Sequence, residues 1–158
     1  SYDSHFSEKN HKDIVDFCKG SGLRRHELEK LRGTDFFTKR NGSLYLTIRG
    51  KGGKYREVPI LEEYRDHILN LMRSAGEGFV FDDVPGVMDV HSYRAMYATD
   101  YYKRIARPAF RIPSYERYYC RGDRKGVILD KKAMLEVSRA LGHNRVSVIA
   151  GHYLIGVR

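Results

Sequence analysis

Residues 141–154 read LGHNRVSVIAGHYL. Leu141 and Gly142 close one apolar run, Val146, Val148 and Ile149 begin another, and a histidine and a tyrosine mark its two ends. Ten residues of unbroken helix make nearly three turns, at about 100° per residue. The turn after Gly142 interrupts that count, so spacing alone does not relate His143 to Tyr153. One of 12 tyrosines, Tyr153 reads most plainly as an amphipathic core residue, with a reactive phenol near the end of a helix as the alternative. The rest of the chain has to decide between them.

Immediately upstream, Asp130 is placed to cap a helix over KKAMLEVSRALG, with the short side-chain acceptor that helix starts favour. Further back, DVHSYRAMYATDYYKRIAR reads as a long aromatic helix. EEYRDHILNLMRSAG reads as a helix with Tyr64, Ile68, Leu71 and Met72 on one side. SLYLTIRG alternates Leu44, Leu46 and Ile48 against Tyr45 and Thr47, the pattern of a strand, and YREVPI returns from the glycine-rich turn GKGGK as the second arm of a hairpin. The N-terminal part holds two helices. Ser7 is the expected cap of the first, with Ile14, Val15, Phe17 and Cys18 inward and Gly20 and Gly22 as its stop. RRHELEKLRGTDF forms the second, with Leu23, Leu28 and Leu31 inward. Only RPAFRIPSYERYYCRGDRKG, residues 107–126, shows no regular period. The expected fold class is α+β: a mostly helical domain with one small antiparallel β-hairpin sheet.

At 158 residues the chain is long enough for a substantial core, and it shows no internal repeat or splitting linker. No apolar run approaches a membrane span and no signal peptide opens the chain. Its two cysteines, Cys18 and Cys120, fit neither a disulfide framework nor a zinc site, and they suit a reducing cytosol. Lys and Arg number 29 against 20 acidic residues, giving a net charge of +9 and a pI near 9.6. That balance favours a polyanionic partner, most simply nucleic acid.

Four clusters carry chemistry. SGLRRHEL sets Arg24 at a helix start with Glu27 three residues on. The pair is either a surface ion pair or a carboxylate fixing an arginine fork toward a phosphate. GKGGK departs from the P-loop pattern, since a strand follows it instead of a helix. It is a plain hairpin turn or a mobile turn that delivers Lys51. HSYR puts His91 and Arg94 on one helix face, a better anion site than either alone. LGH and the final tyrosine supply His143 and Tyr153. No acidic cluster suited to paired metal ions accompanies them. This inventory matches metal-free phosphoryl transfer. Arginines stabilise charge on non-bridging oxygens, tyrosine attacks phosphorus, and a lysine or histidine protonates the departing alkoxide.

In this order, GLRxxEL, a GKG hairpin, HxxR, LGH and a late tyrosine, the motifs resemble the catalytic domain of the tyrosine recombinases, the phage-integrase family. The resemblance runs from about Ser21 to Tyr153. It implies that Arg24, Lys51, His91, Arg94 and His143 surround a scissile phosphate and that Tyr153 is the nucleophile. Glu27 and His152 are expected as supporting residues, and no cofactor is expected. It also implies double-stranded DNA as partner, other protomers assembled on that DNA, and a phage or bacterial protein of the cytoplasm or nucleoid. The family reaction is strand cleavage and rejoining through a 3′-phosphotyrosine, as in integration or excision of a mobile element. A type IB topoisomerase, an inactive DNA-binding module of the same fold and an RNA-binding basic domain are the competing readings.

The resemblance has two departures. Arg94 and His143 lie 49 residues apart, longer than is usual in the family, and residues 107–126 account for the excess. Between Lys103 and Lys125 lie eight basic and two acidic residues, interleaved with Phe110, Tyr115, Tyr118 and Tyr119. This mixture is suited to phosphate contact and stacking, with Arg107, Arg111, Arg117 and Arg121 as candidate DNA contacts. A solvated loop is the plainer alternative. The family's separate N-terminal DNA-binding domain is also not recognisable, so residues 1–158 are expected to be the catalytic-domain fragment of a longer recombinase.

Overall fold

Helix α1 (Lys12–Ser21) buries Ile14, Val15, Phe17 and Cys18 on the side their spacing marks out, and it ends where Gly22 turns left-handed at φ 66°. These elements come from a computed structural model that describes residues 6–154 and 157, apart from the side chains of Lys51 and His152. Ser7 does not cap α1. Its Oγ accepts from Asn10 N at 3.3 Å in the turn before, and the helix begins five residues later. Gly20 is no stop either. It lies inside α1, where a Cβ would stand 2.5 Å from the Tyr64 Cβ. Its lack of a side chain is what lets the helix approach Tyr64 so closely.

Helix α2 (Arg25–Lys30) follows, with Leu23, Leu28 and Leu31 all buried. The chain then forms a three-stranded antiparallel sheet, β1 (Phe36–Thr38), β2 (Leu44–Arg49) and β3 (Tyr55–Pro59), in that order. β2 shows the expected alternation, with Leu44, Leu46 and Ile48 buried. β1 has only three residues and too short a pattern to read from sequence. A short 3₁₀ turn, Lys51–Gly53, joins β2 to β3, with Gly52 and Gly53 at φ 78° and 80°. Helix α3 (Arg65–Ala75) buries Ile68, Leu69 and Met72, while Leu71 is only half-buried. The apolar side is therefore rotated by part of a turn from the expected one.

Helix α4 (Val90–Ile105) comes next, and the chain divides into two compact units, Ser1–Tyr97 and Ala98–Arg158, at a point within its sequence. In the first unit the Tyr97 hydroxyl donates to the Pro59 carbonyl at 2.6 Å, pinning the first half of α4 to the end of β3.

The second unit corrects the reading of residues 107–126 as irregular throughout. Three 3₁₀ turns lie along the segment, and β4 (Arg117–Tyr119) pairs antiparallel with β5 (Ile128–Asp130) as a second small sheet. Arg107 closes the segment. Its Nε and Nη2 reach the two Asp130 oxygens at 2.9 and 2.8 Å, and Nη2 also reaches Glu116 at 3.1 Å. Asp130 caps α5 (Lys131–Ala140) as expected, accepting from Lys132 N and Ala133 N at 3.0 and 3.3 Å. The Tyr102 hydroxyl accepts from Asp130 N at 2.9 Å, which secures the start of the same helix. Helix α6 (Val146–His152) then carries the chain to Tyr153. Among the described residues no helix is long and apolar enough to cross a membrane.

Candidate active site

The first unit brings Arg24, Glu27, Arg56 and Arg94 together at the junction of α1 and α2. Arg24 stands in extended conformation just before α2, so Glu27 lies one turn ahead of it and accepts the Arg24 backbone N–H at 2.9 Å. The Glu27 carboxylate is wholly buried. Arg56, from β3, holds it with a bidentate fork at 2.6 and 2.9 Å, whereas Arg24 Nη1 reaches it at 3.4 Å. Burial alone would raise this carboxyl's pKa. Hydrogen bonds and charge from Arg56, helped by Arg24, outweigh burial and hold it below its ordinary value. Glu27 is thus a carboxylate, and two guanidinium groups against it leave a local surplus of one positive charge.

Arg94 belongs to the same junction. It is buried, and its Nη1 donates to the Gly22 carbonyl at 2.6 Å, two residues before Arg24. Both arginines are therefore anchored to one short stretch of backbone. His91 lies one turn before Arg94 on α4 and is exposed. A cleft of about 510 Å³ opens beside this cluster, lined by Glu27, His26 and Lys30 of α2 and by Arg49, Gly50 and Gly52 of the hairpin. The turn that bears Lys51 thus borders the cleft through its glycines. The Lys51 side chain itself lies outside the described residues, as does that of His152.

The second unit brings His143 and Tyr153 together. Gly142 at φ 90° turns the chain out of α5, and His143 N donates to Ser138 O at 2.8 Å. Ser138 Oγ donates to the Arg145 carbonyl at 3.1 Å, which fixes the far side of the turn. The His143 and Tyr153 rings are 6.0 Å apart between centroids, tilted by 39°. Tyr153 ends α6 with 6% of its surface exposed. Its backbone N–H donates to Ile149 O and its carbonyl accepts from Thr99 Oγ1, both at 3.0 Å. The turn in the LGH motif shortens the path that sequence spacing left open.

The candidate contacts of residues 107–126 separate into two kinds. Arg107 is committed to Asp130 and Glu116, and Arg117 Nε donates to Ile112 O at 2.8 Å. Arg111 and Arg121 are exposed, as are Phe110, Tyr115 and Tyr119. Among the described residues no group of three or more His, Cys, Asp or Glu is placed to hold a metal ion.

No protein-family model matches the chain, and neither does any curated protein. Solved structures do. The chain is similar to the XerH site-specific recombinase in two complexes, one post-cleavage on a palindromic difH substrate and one pre-cleavage on difH. In both the TM-score is 0.53 at 18% identity, and the match covers 88% of this chain. The chain has the fold of a tyrosine recombinase catalytic domain. It spans 40% and 41% of the two XerH chains. The recombinase fold thus agrees with the expected α+β class, to which the structure adds the β4–β5 sheet. Sequence reasoning missed two residues near the candidate groups. Arg56 left a faint signal, a charge two residues before Val58 on the inward side of a strand. Thr99 left none, since a threonine inside an aromatic helix announces nothing.

Proposed function

We propose that the chain cleaves and rejoins DNA strands as the catalytic domain of a site-specific tyrosine recombinase. The observation that carries this reading is the pairing of Tyr153 with His143 at the end of α6, in a chain with the tyrosine-recombinase fold. The Tyr153 oxygen attacks the scissile phosphorus and gives up its proton to a neighbouring base. The bond from phosphorus to the 5′ oxygen breaks, and that oxygen takes a proton from Lys51. Arg24 and Arg94 take the non-bridging oxygens, where their forks match the charge of the transition state, and His91 and His143 donate to the same phosphate. Rejoining is the reverse attack by a 5′ hydroxyl from the partner duplex. One phosphoester replaces another, so no energy source is consumed.

The net charge of +9 and the exposed Arg111, Arg121, Phe110, Tyr115 and Tyr119 support a DNA partner. Exchange between duplexes calls for further protomers on the same DNA. The test is covalent capture on a nicked suicide substrate by the intact protein. The wild type should accumulate a protein–DNA adduct, and Tyr153→Phe should form none. An adduct of unchanged yield in Tyr153→Phe removes Tyr153 as nucleophile.

A further inference from the structure

Glu27 presents its carboxylate to two arginines on unequal terms. Arg56 grips both oxygens at 2.6 and 2.9 Å, whereas Arg24 makes one side-chain contact at 3.4 Å. The exposures follow the same order. Arg56 keeps 12% of its side chain in solvent and Arg24 keeps 25%. The strand explains the grip. Arg56 stands opposite Ile48 in the β2–β3 ladder, on the inward side shared with Val58, and points at α2. Gly50 makes room for it, since a Cβ there would lie 3.2 Å from Arg56 Nη1. The same hairpin carries Lys51 at its tip, five residues before Arg56.

We infer that Arg56 is a positioning residue for the phosphate site: by occupying the Glu27 carboxylate it keeps the Arg24 fork available to an anion and fixes the Lys51 hairpin against α2. A buried carboxylate attracts the best donor within reach. Without Arg56, that donor is Arg24, one turn away on the same backbone. The Arg24 guanidinium would then close onto Glu27 as a bidentate pair and be withdrawn from the phosphate. The clamp also ties the helix start that carries Arg24 to the strand that leads back to Lys51. The inference rests on the proposed role of Arg24.

The experiment measures single-turnover cleavage of a suicide substrate at saturating DNA, alongside DNA affinity and melting temperature, on the intact protein. Arg56→Lys keeps the charge and loses the fork, so it should fold normally. It should bind DNA within about two-fold of wild type and cleave about ten-fold to a hundred-fold more slowly, the range expected when a phosphate-binding group is displaced by about an ångström. Arg56→Met should be slower still, and adding Glu27→Gln to it should recover at least about ten-fold, because a neutral amide no longer captures Arg24. A merely structural role restores the melting temperature in the double variant but leaves cleavage per folded molecule no faster than in Arg56→Met. Wild-type cleavage by Arg56→Lys, or a double variant no faster than Arg56→Met, overturns the inference. Arg24→Ala separates the two levels. If it cleaves normally, the reading of the phosphate site fails. If it is inactive while Arg56→Lys cleaves normally, only the positioning role fails.

Discussion

Replacing Asp130 with Asn tests the charged clamp that organises residues 107–130. Asp130 is buried at the start of α5 and accepts from five donors: Lys132 N, Ala133 N, Arg107 N, and Arg107 Nε and Nη2. The Arg107 hydrogen bonds are the main reason its pKa falls from 3.8 to about 2, against the opposing effect of burial. At about 1.4 kcal/mol per unit this corresponds to about 2 kcal/mol of stability, since the 31% exposure of the Arg107 side chain screens part of it. Asparagine retains one oxygen for the cap but not the paired carboxylate, so Asp130→Asn should cost about 2 kcal/mol at pH 7. Asp130→Ala loses the cap as well and should cost about 3 kcal/mol.

The sign with pH follows from the lowered pKa. The contribution is fully present above the unfolded-state value near 4 and is lost as pH falls through the folded-state value of about 2, below which the carboxyl is protonated in both states. The gap between wild type and Asp130→Asn in urea unfolding, followed by circular dichroism, should therefore narrow over that window. A variant within about 0.5 kcal/mol of wild type at pH 7, or a gap that stays constant from pH 4 to pH 2, refutes the reasoning, because surface substitutions alone reach that size.

Two further expectations concern DNA. Reversing the charge of the exposed Arg111 and Arg121 should lower affinity and flatten its dependence on salt, by about one unit of slope for each phosphate no longer neutralised, measured by fluorescence anisotropy across a salt series. An unchanged slope returns the segment to an ordinary surface. Lys51→Ala should cleave ordinary DNA slowly yet recover most of its rate on a substrate whose 5′ bridging oxygen is sulfur, since a thiolate with a parent pKa near 8.5 leaves without a proton. Equal slowness on both substrates would mean that the lysine acts by charge or placement.

The legible parts of this chain were those where one local rule acts alone. The alternation of Leu44, Leu46 and Ile48 gave β2, and Asp130 before an apolar run gave the start of α5. Gly20 misled because glycine signals a helix end and a close helix approach with the same letter, and only Tyr64, 44 residues on, tells them apart. Residues 107–126 looked irregular because their strand has only three residues, and much of their order comes from one ion-pair cluster instead of a repeating pattern. At the candidate site, the order of motifs proposed Arg24 and Tyr153, but Arg56 escaped because its contact depends on which carboxylate it meets across 29 residues of sequence.

Gly22 has no side chain to offer a phosphate, yet its carbonyl is the anchor of Arg94 across 72 residues of chain. That carbonyl points as it does because the residue ends α1 at φ 66°, ψ 21°. Any larger residue there costs only about 1 kcal/mol through the left-handed backbone, or escapes the cost by rotating the peptide. The escape turns the carbonyl away from the arginine. Variation at this position is therefore constrained by two separate demands, and they weigh differently. Selection for abundance alone would tolerate alanine or asparagine at Gly22. On the role proposed for Arg94, selection for the reaction would hold glycine here as firmly as the arginine, so a helix cap would appear in a mutational map beside the proposed site residues.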